Sequence, residues 1–127
     1  MPAAMGTGAT LTDLRTLAAS APHMVGRDLA TEVTTAATYV AVPDGAPRGR
    51  IVALDYGIKR DIVSQWTRRD LEVSVVPATT SASAIMDLDP SGVFLSNGPG
   101  DPEALVRPIE TLRSLIGRVP IFGICLG

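Results

Sequence analysis

The sequence predicts an α/β protein: a parallel sheet with flanking helices, preceded by a connector segment. Two patterns predict it. From Arg50 onward, short apolar runs alternate with stretches whose apolar residues recur at helical spacing. Before Arg50 the chain is rich in Ala and Thr, sparse in charge, and ends in the turn formers Pro43-Asp44-Gly45-Ala46-Pro47-Arg48-Gly49. Residues 1–49 therefore read as the tail of an N-terminal domain plus an interdomain connector, too poor in apolar side chains for a core of their own.

Each element has a local reason. Leu11, Leu14, Leu17 and Ala18 are spaced for a helix, with Thr12 or Asp13 as its cap. Asp28 to Val33 suits a short helical turn, and Thr38 to Val42 a short strand. Ile51-Val52-Ala53-Leu54 is an apolar run ending at Asp55, as in a strand buried on both faces. Ile58, Ile62, Val63 and Trp66 mark one face of a helix whose other faces carry Lys59, Arg60, Asp61, Arg68 and Arg69. Glu72 to Val76 is a strand closed by Pro77. Thr80 or Ser81 caps a short helix through Ala84 to Leu88. Val93-Phe94-Leu95 is a strand. Ile109, Leu112, Leu115 and Ile116 define a helix with Pro108 in its first turn, where a missing N–H costs nothing. Ile121 to Ile124 is the last strand. Strands alternating with helices form right-handed βαβ units, whose sites lie beyond the carboxyl ends of the strands. Three segments fall there: Asp55 to Gly57, Ser96 to Pro102, and Cys125 to Gly127.

Composition removes several function classes. A length of 127 residues suits one domain. The net charge of −2, without a basic block, argues against nucleic acid or an anionic membrane as partner. No apolar run approaches the ~20 residues of a membrane span, and the first dozen residues lack the basic and apolar parts of a signal peptide. One Cys and one His cannot build a metal cluster, and a single Cys excludes an internal disulfide. No metal site is expected. The lone thiol fits a reducing compartment.

The chemistry concentrates at two loops. Gly123-Ile124-Cys125-Leu126-Gly127 has the pattern of a nucleophile elbow with Cys in place of Ser. A nucleophile on a tight turn after a strand sits in a strained backbone, and its neighbours two residues away on either side must be small. The competing reading is a structural Cys at a strand end. Ser96-Asn97-Gly98-Pro99-Gly100-Asp101-Pro102 is a rigid loop that permits close backbone approach. Pro99 cannot donate, so Gly98 or Gly100 offers an N–H. Paired with the Leu126 N–H, it forms an oxyanion hole. The simpler reading is a turn in which Asp101 caps a helix started by Pro102, and both can hold together. The loop lacks the third Gly of a dinucleotide fingerprint and follows the wrong strand for one. Asp55 has no acidic partner, which favours hydrogen bonding to loop backbone over metal binding. His23, in the connector, has nothing nearby in sequence that pairs it with Cys125.

Asp55-Tyr56-Gly57-Ile58-Lys59, Leu95 to Pro102 and Gly123 to Gly127, in this order and spacing, resemble the small, glutamine-hydrolysing subunit of carbamoyl-phosphate synthetase. The Gly-Pro-Gly loop and Cys elbow are shared with class I glutamine amidotransferases generally. Asp55 to Lys59 and Asn97 are similar to the carbamoyl-phosphate branch, as are Val25 to Ala30 and Glu32 to Thr35 upstream. The resemblance covers about Met24 to Gly127. It implies a flavodoxin-like fold, incomplete here, with residues 50–127 as the first half of the amidotransferase domain. It implies Cys125 as nucleophile, the Gly98 and Leu126 N–H groups as oxyanion donors, and Gly98, Gly100 and Leu126 as contacts to L-glutamine. Ammonia would pass to a large synthetase subunit, which uses ATP and magnesium, in cytoplasmic arginine and pyrimidine synthesis. No cofactor belongs to this chain. The family's catalytic His and Glu lie downstream of the Cys, so these 127 residues are expected to be an inactive fragment. Asp61 stands where the family often has Asn, a minor departure. Two alternatives stand beside this: a Cys-dependent α/β hydrolase of another family, which leaves the Gly-Pro-Gly loop and Lys59 unexplained, and a non-catalytic flavodoxin-like binding module.

Overall fold

The computed structural model describes residues 2–127. Five strands form one sheet in the order β1-β3-β2-β4-β5: β1 (Tyr39–Ala41), β2 (Gly49–Asp55), β3 (Leu71–Pro77), β4 (Gly92–Leu95) and β5 (Ile121–Gly123). The pairs β2–β3, β2–β4 and β4–β5 are parallel, as the alternating pattern predicts. The edge strand β1 runs antiparallel to β3, pairing Tyr39 with Val75 and Ala41 with Val73. It therefore brings part of the N-terminal segment into the sheet, which hydropathy did not indicate. Pro77 does not close β3 from outside but is its last residue, opposite Asp55. A strand terminus tolerates Pro because no further ladder bond depends on its missing N–H.

Side chains alternate across the sheet and divide the core into two layers. Val52, Leu54, Val76, Val93 and Leu95 point to one face, where α4 (Ala82–Met86) and α5 (Val106–Leu115) contribute Ile85 and Leu115. Ala53, Val73, Val75 and Phe94 point to the other, covered by Ile62, Val63 and Trp66 of α3 (Arg60–Thr67). Helices thus flank both faces, and β2 and β4 are buried on both sides, which explains their uninterrupted apolar runs. Ser81 caps α4 by accepting the Ala84 N–H at 3.3 Å. Val106 begins α5, and Pro108 lies in its first turn.

The N-terminal helix α1 (Leu11–Ser20) has no buried residue. Its cap is Thr10, outside the expected Thr12 or Asp13. Thr10 Oγ1 accepts the Asp13 N–H at 3.2 Å, and Asp13 accepts the Thr10 N–H at 3.0 Å. This reciprocal pair is a capping box, and the Thr10 hydroxyl and N–H hold the Asp13 carboxyl below its ordinary value. The helix is held by its own turn rather than by packing. Downstream, α2 (Ala30–Val33) buries Ala30 completely in the sheet's first layer.

Candidate functional site

The site is assembled where β2, β4 and β5 end together. Chain order reverses at β2: β3 lies on one side of it, and the chain then crosses to β4 and β5 on the other. Such a switch point opens a crevice at the carboxyl ends. Leu54 pairs with Leu95, and Leu95 with Gly123. The three turns that follow these residues are therefore neighbours in space, although far apart in sequence.

At the elbow, Cys125 has φ = 61°. A non-glycine residue in this left-handed region is strained and persists only where its surroundings enforce it. Here two glycines enforce it. A side chain on Gly123 would strike the Gly127 backbone, and one on Gly127 would strike the Leu95 carbonyl. Ile124 donates its N–H to the Leu95 carbonyl at 3.1 Å, and Gly127 donates to Ile124 at 3.1 Å, closing the turn. The Cys125 thiol is free and exposed, while Leu126 packs against the first core layer.

The Gly-Pro-Gly loop is held from both its Ser96-Asn97 approach and its glycines. Ser96 is fully buried, and its Oγ accepts the Tyr56 N–H at 2.9 Å while donating to the Asn97 carbonyl at 2.8 Å. Asn97 donates Nδ2 to the Gly57 carbonyl at 2.9 Å and accepts the Lys59 N–H at 3.3 Å. Gly98 lies against the Tyr56 carbonyl, leaving no space for a side chain. Gly100, at φ = 104°, faces the Arg27 carbonyl, which a Cβ would approach to 2.8 Å. The N–H groups of Gly98, Gly100 and Leu126 take part in none of the backbone hydrogen bonds of the loops.

Asp55 does what its isolation suggested. Its Oδ1 accepts from Gly57 (2.8 Å) and Ile58 (2.7 Å), and Oδ2 accepts from Thr35 at 2.8 Å. This carboxylate is 7% exposed and committed to backbone. Among the described residues no group of three Asp, Glu, His or Cys side chains could hold a metal. Among the described residues no helix is long and apolar enough to cross a membrane.

Two features escaped the sequence reading. Asp101 does cap the 3-10 turn Pro102–Ala104, accepting the Glu103 N–H at 3.1 Å. Its second oxygen accepts the Gly26 N–H at 2.8 Å, and its own N–H donates to the Arg27 carbonyl at 3.0 Å. The Gly26 N–H, and after it the Glu103 N–H, hold the Asp101 carboxyl below its ordinary value. Further along, Thr34 Oγ1 accepts the Ala78 N–H at 2.8 Å. Residues 26–35 therefore run across the carboxyl end of the sheet and tie down the Gly-Pro-Gly loop. The signals for this in the sequence are the polar Thr34-Thr35 pair and the family resemblance of Val25 to Ala30 and Glu32 to Thr35, neither of which names the loop they meet. The structure brings Cys125, Leu126, Gly98 and Gly100 to one end of the sheet. His23 is exposed.

Behind the elbow, on the first core layer, lies a cavity of about 260 Å³ between Tyr56, Leu95, Leu105, Leu112 and Leu126. Its walls are mostly apolar, with Glu103 as the one charged lining residue. Burial pushes the Tyr56 phenol up to about 12. The fold therefore favours the neutral phenol. That stabilisation is complete below pH 10, the ordinary value, and is lost as pH rises through 12. Thermal melts between pH 9 and pH 12 should show a loss of about 2 kcal/mol that is absent from Tyr56→Phe.

Residues 52–127 match the class I glutamine amidotransferase family. The chain is 47% identical over 122 residues to the carbamoyl phosphate synthase small chain of Syntrophotalea carbinolica, covering 87% of this chain and 32% of that one. It is 48% identical over 106 residues to the protein of the same name from Methanopyrus kandleri, covering 84% and 28%. For Chlorobaculum tepidum, again a carbamoyl phosphate synthase small chain, the identity is 47% over 118 residues, covering 90% and 32%. The chain thus spans about a third of the length of these curated relatives.

Proposed function

The chain belongs to the class I glutamine amidotransferase family, and from that membership we propose that it carries the nucleophile and oxyanion donors of a glutaminase serving carbamoyl phosphate synthesis. In this reading residues 1–49 are the tail of an upstream domain and its connector, and residues 50–127 are the first half of the amidotransferase domain. The partner is a large synthetase chain, the substrate is L-glutamine, and the location is the cytoplasm. The observation that carries the reading is Cys125, held at φ = 61° between two glycines beside the Gly98 loop.

The Cys125 thiolate attacks the side-chain carbonyl carbon of glutamine, and the C=O electron pair moves onto oxygen. The Gly98 and Leu126 N–H groups stabilise that oxyanion. Collapse restores the carbonyl and breaks the C–N bond; the nitrogen takes up a proton and leaves as ammonia. The resulting thioester is attacked by water, releasing glutamate and returning the sulfur. Gly100 lines the glutamine subsite. A Cys nucleophile requires a base, and the sole histidine, His23, is exposed and makes no side-chain hydrogen bond to Cys125 among the described residues. These 127 residues alone are therefore proposed not to turn over glutamine.

A glutamine analogue whose side-chain amide is replaced by a chloroketone tests the nucleophile. Peptide mapping should find the label on Cys125, glutamine should slow labelling, and Cys125→Ala should remain unlabelled. Labelling that ignores added glutamine would count against the site. Ammonia release by the 127-residue chain should equal that of Cys125→Ala; turnover well above this control would refute the proposed inactivity.

A further inference from the structure

We infer that Ser96 is a positioning residue whose hydroxyl orients and polarises the peptide group carrying the Gly98 N–H. This rests on the reading of that N–H as an oxyanion donor. A peptide unit is planar, so whatever fixes the Asn97 carbonyl also fixes the N–H of Gly98 at the opposite edge of the same unit. Ser96 Oγ donates to that carbonyl at 2.8 Å. The same oxygen accepts the Tyr56 N–H at 2.9 Å, which leaves the hydroxyl proton directed at the Asn97 carbonyl. Tyr56 N–H, Ser96 O–H and the Asn97–Gly98 peptide thus form a chain of hydrogen bonds pointing one way.

Successive bonds in such a chain polarise one another, strongly so where water is excluded. Ser96 is 0% exposed, so no solvent competes for its proton. Donation to the carbonyl draws electron density from the peptide nitrogen and makes the Gly98 N–H a better donor. The unit cannot rotate away, because Gly98 is pressed against the Tyr56 carbonyl and the Asn97 side chain is bound to Gly57 and Lys59. A donor that requires no reorganisation at the moment of reaction is what oxyanion stabilisation demands.

The test compares two reagents on Cys125 of the 127-residue chain at pH 9. The glutamine chloroketone reacts through addition of the thiolate to its ketone, which places charge on oxygen. Iodoacetamide reacts by direct displacement of iodide and needs no oxyanion. With the chloroketone at saturation, so that its binding to the glutamine subsite drops out, the ratio of the two rates separates the oxyanion hole from thiol reactivity and from folding. Ser96→Ala is expected to lower this ratio about ten-fold, less than the 10²–10³ lost with an entire donor. Ser96→Thr keeps the hydroxyl and should stay within about two-fold of the parent. If Ser96→Ala does not fold, Ser96→Cys, whose thiol is a weak donor, takes its place with the labelled position read by peptide mapping, and the ratio should again fall. A parent ratio that favours the chloroketone but is unchanged in the hydroxyl-deficient variant overturns the role of Ser96 alone. A parent with no chloroketone preference overturns the oxyanion reading of Gly98 together with it.

Discussion

Replacing Gly98 by Ala should destabilise the chain by about 3 kcal/mol or more and dismantle the site loop. The added methyl would be driven into the Tyr56 carbonyl and would lie 2.8 Å from the Tyr56 carbonyl carbon. Both are backbone atoms at the end of β2 and cannot swing aside as a flexible side chain does. Overpacking usually costs 1–3 kcal/mol, and a rigid obstacle places this substitution at the top of that range. Relief requires the loop to lift, which breaks the bonds from Asn97 to Gly57 and Lys59. Gly45→Ala is the matched control. A Cβ there meets nothing within 4 Å, so its melt should agree with the parent to within about 0.5 kcal/mol. Denaturant titration of the three proteins checks this, and a Gly98→Ala transition matching that of Gly45→Ala would refute it.

Phe94→Ala should cost about 3–5 kcal/mol. Phe94 is 1% exposed and lies on β4, between β2 and β5. Its ring packs edge-on to Trp66 at 5.9 Å between centroids and stacks on Phe122 at 6.1 Å. Removing it opens a cavity beneath α3 and leaves Phe122, already 57% exposed, with less to pack against. Small domains have only about 5–15 kcal/mol of stability in total, so the variant should be largely unfolded well below the parent's melting temperature. Trp66 fluorescence reports it directly, since Trp66 is the sole tryptophan and Phe94 its neighbour. An unshifted fluorescence melt would refute the central role of this ring.

The parts of the fold that were legible share one property: their cause is local. The apolar runs of β2 and β4 are uninterrupted because both faces are buried, and the apolar face of α3 recurs at 3.6 residues because one side meets the sheet. The glycines of the elbow were equally legible, since the requirement for small residues around Cys125 arises within five residues. The strand at Thr38 to Val42 was legible as well, as β1, but not its place in the sheet. β1 has two exposed residues and one half-buried residue, so its hydropathy carries no mark of which strand it joins or in which direction. The Thr10 cap was misplaced by two to three residues because Thr12 and Asp13 are equally acceptable cap chemistries, and only hydrogen bonding selects among them.

The site divides in the same way. Local spacing singles out Cys125 as a candidate nucleophile and the N–H of Leu126 and of Gly98 or Gly100 as candidate donors, and it favours backbone donors as the partners of Asp55, which the structure shows. The sequence by itself determined the type of backbone each position must adopt, because that depends on steric limits acting over a few residues. Tertiary structure alone decided which surfaces those backbones meet. Gly26 reaches Asp101 across 75 positions, Thr35 reaches Asp55 across 20, and Tyr56 reaches Ser96 across 40. A hydroxyl, a carboxylate and an N–H have many acceptable partners, and nothing in a side chain names the distant one. The crossover of the chain at β2 closes the Tyr56–Ser96 bond by bringing the carboxyl ends of β2 and β4 together, and the passage of residues 26–35 across that end of the sheet closes the other two.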